Sequence, residues 1–247
     1  MTKLPSCVTT AVASPKMTER YVHVNSAEVV QLMEREGYRV AAVRTASPRA
    51  RDPLYARHSI DFRHANAKEI AGATPRILFT NSHDGTTSAQ VMAGFYRFVC
   101  SNGLVIGETV GALRQRHSGD AAYELITRMR QLAKNTEKLY TKIDGWTRKE
   151  LTLDQQINFA QLAAQLRWGD AHMYGADQVL RVRRAEDDAA NLWSVFNRIQ
   201  ENTIRGGLIG LSRSGRQATS RPLTDIGRDA AYNAALWTLA EEVAANC

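Results

Sequence analysis

Three histidines and one aspartate have the clearest capacity for catalysis or metal binding. His83 and Asp84 are adjacent, and His58 and His117 lie in other segments. Imidazole and carboxylate groups together can bind a divalent metal that hydrolyses phosphodiesters. No pair of histidines has the H-x-x-x-H helical spacing, however, and no second carboxylate cluster accompanies them. Because Asp84-Gly85 suffices as a turn, we predict no catalytic residue, no metal and no cofactor, and a nuclease is the least favoured alternative.

Arginines in two acid-free stretches form the second group of chemically capable residues. The run 37–51 holds Arg44, and the run 203–224 combines arginines with Gly206, Gly207, Gly210 and Gly215. Glycines let backbone amides approach an anion, and arginine supplies forked donors that match phosphate. The second run lacks the Walker spacing of nucleoside-triphosphate sites. It is therefore interpreted as a loop, 206–222, that either contacts a polyanion or is simply solvated.

Other cations stand out by their surroundings. Arg97 is the lone charge between Gly85 and Gly107, and lysines recur every four residues on one face of a predicted helix from Ser118, where Glu137 partly neutralises them. A solvated strand end or helix face explains such charges as well as a ligand does. Our hypothesis is that the cations converge on a DNA backbone. The predicted contacts are Arg44, Arg57, Arg97, Lys134, Lys138, Arg205, Arg213, Arg216 and Arg221.

Composition sets wide bounds on function. The 247 residues can bury a substantial core, and a net charge of +7 with a pI near 9.5 favours polyanions without naming one. Three widely spaced cysteines indicate neither a disulfide framework nor a zinc site. No run of 18 apolar residues and no signal-peptide profile is found, so we expect a cytoplasmic protein without membrane contact.

The periodicity predicts an α+β fold with a sheet-rich first half. Strand patterns over 38–45, 56–64, 77–80 and 90–100 follow a helix over 26–35, and polar turns separate the last two strands as in a hairpin. This order favours an antiparallel sheet of about four strands packed with long helices. Residues 21–24 could add a short edge strand, which would pair with a neighbouring copy in a ring or filament.

The second half reads as helical. We predict a helix from Ser118 that Gly145 ends, a helix from a Thr152 capping box to about Arg167, a helix over 191–205 and a last one over about 225–243. In the third helix the apolar positions are expected to face inward. Its polar positions are expected to face outward, namely Asn191, Ser194, Arg198, Glu201, Asn202 and Arg205.

The predicted organisation is a flexible arm over 1–20 and a single α+β domain over 21–247. Within the domain, 21–110 is sheet-rich and 118–247 is helical. The arm contains Pro5 and Pro15 with little periodicity, which is typical of irregular chain.

Several short motifs resemble one known family. They are Arg20-Tyr21, Arg57-His58, Asn81-Ser-His-Asp-Gly85, Gly94-Phe-Tyr-Arg97, Val99-Cys-Ser-Asn-Gly-Leu104, His117-Ser-Gly119, Asn197-Arg-Ile-Gln-Glu-Asn202, Arg205-Gly-Gly207 and Asn233-Ala-Ala-Leu-Trp237. In these the chain resembles the family catalogued as domain of unknown function 932, found in plasmid- and phage-borne proteins. The resemblance covers nearly the whole chain. It implies a mobile-element protein, and such elements commonly carry recombination and anti-defence functions.

Taken together, these features favour a non-catalytic protein that binds single-stranded DNA through phosphates and acts by strand annealing. The order of elements is similar, as an architecture only, to that of single-strand annealing recombinases. Such proteins track the backbone with cations and form homo-oligomers. The alternative is a protein-interaction module, with an anti-defence or regulatory role and no DNA binding.

Overall fold

The computed structural model describes residues 4–19, 21, 23–46, 52–97, 127, 140–169, 174–211 and 215–246, with the backbone alone over 93–97. Within these residues the chain is an α+β protein with an antiparallel sheet followed by a mostly helical half, as predicted. It divides into two compact units. Unit 1 holds 1–69, 73–96 and 105–137, and unit 2 holds 70–72, 97–104 and 138–247. The single domain over 21–247 stays a prediction.

A four-stranded sheet forms the centre of unit 1. Its strands are β1 (Tyr38–Thr45), β2 (His58–His64), β3 (Ala73–Asn81) and β4 (Gln90–Arg97), in the order β1-β2-β3-β4. In register, Val43 lies opposite Ile60 and Ile60 opposite Phe79, and a bulge interrupts β1 between Val40 and Ala42. The predicted strand positions are thus confirmed within the described residues. β3 begins four residues earlier than its apolar run suggests, and residues 98–100 lie outside the description.

Helix α2 (Ser26–Arg35) packs in the core of unit 1. Its amino terminus is capped by Asn25, whose side chain accepts hydrogen bonds from the backbone N–H groups of Ala27 and Glu28, as is common for asparagine at this position. Val29 and Met33, one turn apart, are fully buried against the sheet residues Phe62 and Phe79. Gly37 follows the helix with a φ of +86°, a conformation that glycine adopts without strain.

The amino-terminal segment differs from the flexible arm that its composition indicates. Residues 4–19 contain the short helix α1 (Ser6–Thr9), and Cys7 and Val8 are buried in the core of unit 1. The expected edge strand is also wrong at Tyr21, His23 and Val24, which lie outside any strand. The Val24 carbonyl instead accepts a hydrogen bond from the Asn81 side chain, so these residues offer no strand edge to a second copy.

Unit 2 consists of helices and one small hairpin. Its helices are α3 (residues 140–148), α4 (Leu153–Trp168), α5 (Ala176–Val179), α6 (Leu192–Arg205) and α7 (Ile226–Asn246), with a 3-10 turn at Ala185–Asp187. The Thr152–Gln155 capping box at the start of α4 is confirmed. Gly145 does not end α3, which continues to Arg148. Tertiary packing outweighs the low helix propensity of glycine there, since Ile143 and Trp146 are buried on either side of it.

The predicted loop 206–222 is wrong in part, because it contains an antiparallel hairpin. The strands β5 (Ile209–Leu211) and β6 (Gln217–Thr219) pair in register, with Gly210 opposite Ala218. At three residues each, these strands are too short to produce a periodic signal in sequence.

Helix α6 is buried on every side. All residues from Leu192 to Ile204 are buried, including Ser194, Arg198, Glu201 and Asn202. The prediction that these polar residues face outward is therefore wrong. Buried polar groups need hydrogen-bond partners, and α6 finds its partners in segments that are distant in sequence.

A search of the described part of the chain finds no helix with both the length and the apolar character to cross a membrane.

Candidate nucleic-acid interface

The carboxylate of Glu201 is the centre of an arginine cluster at the end of α6. Arg184 donates to both of its oxygens, at 3.0 and 2.9 Å, and Arg205 donates to Oε1 at 2.6 Å. The Glu201 side chain is 2% exposed, whereas the Arg205 side chain is 46% exposed. A buried acid thus holds cations that reach the surface. We use the name α6 arginine cluster for Arg181, Arg183, Arg184 and Arg205, with Glu201.

Arg183 and Arg167 close the carboxyl end of α6. Arg183 donates to the Asn202 side chain and, at 3.2 Å, to the carbonyl of Gly206. Arg167 reaches from α4 to the carbonyls of Thr203 and Arg221. Since the last carbonyls of a helix lack partners within it and carry partial negative charge, cations there are stabilising. These two arginines therefore have a structural role in addition to their charge.

Positive charge exceeds negative charge in the α6 arginine cluster. Burial against the helix end lowers the pKa of Arg183, and the charges of Arg205, Arg181 and Arg184 lower it further, while Glu201 opposes the shift. The charges of three other arginines and of the Glu201 carboxylate therefore act on Arg183. The nearby acids Asp187 and Asp188 lie close enough to Arg198 to raise its pKa against the effect of burial. The cluster keeps a surplus of positive charge, which attracts anions.

The β5–β6 hairpin begins and ends beside this cluster. The Gly207 N–H donates to the Ser220 carbonyl, the Ser220 N–H donates to the Leu208 carbonyl, and the Leu208 N–H donates to the Ser220 hydroxyl. A methyl group on Gly206 would lie 2.7 Å from the carbonyl oxygen of Ser220 and 2.7 Å from the carbonyl carbon of Arg221. Only glycine allows this approach, which brings the backbones of Arg205 and Arg221 together.

Unit 1 has a smaller group of charges on the sheet face opposite its core. Arg76 donates to Asp61 at 3.3 Å, and both side chains are largely buried. Burial raises the pKa of Asp61, while Arg76 and Arg44 lower it. Arg57 donates to the Thr87 hydroxyl at 2.6 Å. Arg44 and Arg57 therefore lie among polar partners inside unit 1.

The predicted contact residues fall into three groups. Arg205, Arg216 and Arg221 belong to unit 2, where all three are exposed beside the hairpin; Arg44 and Arg57 belong to unit 1. The side chain of Arg97, at the end of β4, lies outside the description. So do Lys134, Lys138 and Arg213. Convergence of the whole set on one groove stays a prediction.

The histidines considered for catalysis are structural in their contacts. The rings of His58 and His23 both contact His83 at a tilt, with ring centroids 5.2 Å apart for His58 and His83 and 4.5 Å apart for His23 and His83. His83 Nε2 donates to the Cys7 carbonyl, and His58 Nδ1 donates to the Ala56 carbonyl. Burial lowers the pKa of His83 to about 4, so the ring is neutral at pH 7.

Asp84 lies in a turn that its own side chain stabilises. Its Oδ1 atom accepts hydrogen bonds from the N–H and the hydroxyl of Thr86, and Gly85 follows with a φ of +71°. Over the described ranges, no group of three or more His, Cys, Asp or Glu residues is arranged to hold a metal ion. His117 lies outside those ranges.

Sequence reasoning missed most of the α6 arginine cluster. The run Arg181-Val-Arg-Arg lies one residue before Glu186-Asp-Asp, a pattern that indicates local pairing as much as ligand contact. In the structure Arg184 also pairs with Glu201, 17 residues away. The sequence signal for this cluster was the motif Asn197-Arg-Ile-Gln-Glu-Asn202. This stretch of α6 carries more polar groups than one solvent-facing side of a helix accounts for.

This geometry defines an α+β protein with a polar, fully buried helix that supports a cluster of arginines. The family described as "Domain of unknown function (DUF932)" matches residues 16–237. "UPF0380 protein YfjQ" of Escherichia coli (strain K12) is 34% identical over 229 residues, which are 91% of this chain and 82% of the relative. "UPF0380 protein YafZ" of the same organism is 33% identical over the same shares. No solved structure matches.

The chain therefore belongs to the DUF932 family, as its motifs predict. The matched range 16–237 contains the sheet, the α6 arginine cluster and the hairpin. Neither the family description nor the names of the two relatives state an activity.

Proposed function

We propose that this protein binds DNA, single strands in preference, through the phosphate backbone, and that it acts in recombination by strand annealing in the cytoplasm. The observation that carries the proposal is the α6 arginine cluster, in which Arg184 and Arg205 pair with the buried Glu201 carboxylate and the charges of Arg181 and Arg183 lie close by. Arginine forks match phosphate oxygens, and a fixed cluster spends little conformational entropy on binding. Annealing requires that bases remain free to pair, which fits contacts made to phosphate.

Four further features support the proposal. The net charge is +7, and the stretch 203–224 beside the cluster contains no acid. Arg205, Arg216 and Arg221 are exposed there. The resemblance to plasmid- and phage-borne proteins is consistent with recombination. A homo-oligomer, as a ring or filament, is part of this proposal, although the edge strand first expected to join the copies is not formed.

The test is binding of labelled single-stranded and duplex oligonucleotides across a salt series, with and without magnesium. We expect affinity for single strands that falls steeply with salt, because cations displace counterions from phosphates. Replacing Arg213→Glu and Arg216→Glu together should weaken binding on all sequences, at least tenfold, and lower the salt slope by about 2. Faster pairing on addition of the complementary strand would support annealing.

Arg148→Glu is the control for charge reversal away from the hairpin; it changes the net charge by −2, half the change of the double variant. Arg148 lies at the end of α3, one residue before Lys149, whose carbonyl accepts from Leu192 at the start of α6. Glu201, the centre of the α6 arginine cluster, lies nine residues after Leu192 in α6, which is about 14 Å along the helix at 1.5 Å per residue. Reversal of the Arg148 charge should change the affinity for DNA less than twofold. Absence of DNA binding by the unmodified protein would refute the proposal, and magnesium-dependent cleavage would favour the nuclease instead.

One observation favours a second candidate, a protein-interaction module. A groove of about 620 Å³ lies between α4 and α7, with Leu162, Leu166, Ala235 and Leu239 among its lining residues. Leu166 is 49% exposed, which is unusual for a large apolar side chain beside others. The replacement Leu166→Glu should abolish a protein contact made there and leave DNA affinity unchanged. Co-purification with partners separates the two candidates.

A further inference from the structure

The β5–β6 hairpin presents an apolar surface to solvent. Ile209 and Leu211, the first and last residues of β5, are each 54% exposed. Residues two apart on a strand share a face, and directly opposed residues of an antiparallel pair share it too. Thr219 and Gln217 lie opposite them, so this face holds two large apolar side chains and two uncharged polar ones.

The hairpin is held in place at its base. Leu208 and Ser220 are buried, and three hydrogen bonds join the strands at the level of Gly207, Leu208 and Ser220. The Leu223 N–H also donates to the Ile204 carbonyl, which fixes the returning chain on α6. The exposed side chains are thus carried by backbone that is already ordered. A ligand that contacts them gains apolar burial without ordering a loop.

The charge around the hairpin restricts what can bind it. No Asp or Glu occurs from Thr203 to Thr224, and Arg205, Arg216 and Arg221 are exposed along this stretch. The complementary ligand is a polyanion that also offers flat apolar groups. Nucleic acid has both, but a duplex hides the faces of its bases in the stack, whereas a single strand exposes them.

We propose that Ile209 and Leu211 pack against unstacked bases of a DNA single strand whose phosphates lie on the neighbouring arginines. The inference rests on the proposed function and deepens it, because it assigns the preference for single strands to two residues. Phosphate contacts supply affinity for any DNA, and the apolar face adds affinity only where bases are accessible.

The test compares the wild type with the double variant Ile209→Thr and Leu211→Thr. Threonine keeps the β-propensity of the hairpin and removes the larger apolar groups. We expect the variant to bind a single-stranded oligonucleotide about tenfold more weakly, with the same duplex affinity and the same salt slope. A single strand of the same length with abasic sites should bind wild type and variant equally well.

Two further variants keep the inference open to refutation if the double variant folds poorly. Leu211→Trp enlarges the flat surface and should tighten binding to single strands at least threefold, with no change on duplex. Gly210→Ala alters the opposite face and should change neither affinity. Equal single-strand affinity of the wild type and the Thr and Trp variants would overturn the inference while the proposed function stands.

The remaining outcomes are also decisive. If the wild type binds no DNA, the proposed function and the inference fail together. If the Thr variant keeps its DNA affinity but sediments as a smaller species than the wild type, the apolar face is a protein contact and the inference is wrong.

Discussion

Glu201 shows how one residue can position many others. Its buried carboxylate pairs with Arg205, one turn later in α6, and with Arg184 from another segment. A buried carboxylate costs desolvation free energy that only paired cations offset. Its role is therefore to hold Arg184 and Arg205 in place.

The replacement Glu201→Gln should destabilise unit 2 by about 2 kcal/mol or more. Breaking a buried pair costs about 3–5 kcal/mol, and the figure is reduced here because the Arg205 side chain is 46% exposed. Urea unfolding measures the change. The control Asp144→Asn removes an exposed pair with Arg148 and should cost about 0.5 kcal/mol or less. Equal effects of the two variants would contradict the structural role of Glu201.

The neighbouring histidines His23, His58 and His83 predict that the stability of unit 1 depends on pH. Burial, aided by His58 and His23, lowers the pKa of His83 from 6.5 to about 4. Between these values the unfolded chain binds a proton that the folded chain does not, so stability rises with pH. The melting temperature of unit 1 should accordingly fall as pH drops from 6.5 to about 4.

The variant His83→Gln isolates this contribution. Glutamine can still donate a hydrogen bond toward the Cys7 carbonyl, but it does not titrate. We expect a lower melting temperature at pH 7 and a flatter dependence between pH 6.5 and 4. A pH dependence as steep as that of the wild type would exclude His83 as its source.

At the scale of elements, the bounds of α4 and α6 could be predicted, but the end of α3 and the burial of α6 could not. The period of apolar residues indicates α6 over 191–205, and the structure places it at Leu192–Arg205. The polar face of α6 is buried because Arg183 and Arg184 contact it from another segment. Local periodicity does not predict how that segment folds. The α2 cap and the Thr152 capping box were predictable, since each depends on neighbours within four residues.

The junction of α6 and the hairpin depends on one glycine. Gly206 has a φ of +68°, and an added methyl group would lie 2.7 Å from backbone atoms of Ser220 and Arg221. The replacement Gly206→Ala should therefore cost about 2–4 kcal/mol, from backbone strain and from overlap.

Gly207→Ala provides the control for backbone strain alone. Gly207 has a φ of +76° but no atom within 4 Å of an added methyl group, so the expected cost is about 1 kcal/mol. Thermal unfolding of both variants measures the difference. If Gly207→Ala proved as damaging as Gly206→Ala, the close approach of the hairpin to α6 would not matter for stability.

For the whole molecule, net charge and fold class could be predicted from composition and periodicity, but the α6 arginine cluster could not. The charge of +7 and the acid-free run 203–224 lead to the prediction of an anion-binding surface, which stays a prediction. Which arginines stand together depends on contacts such as Arg184 with Glu201 and Arg167 with Thr203. Such contacts join residues 17 and 36 positions apart, beyond the reach of any local pattern.

The buried Cys7 has one practical consequence. Its side chain lies in the core of unit 1, its carbonyl accepts from His83, and burial raises the pKa of its thiol. Alkylating reagents attack the thiolate, so Cys7 should be labelled only when the amino-terminal segment detaches. In a variant with the other two cysteines replaced, the rate of Cys7 labelling reports the detachment of the amino-terminal segment.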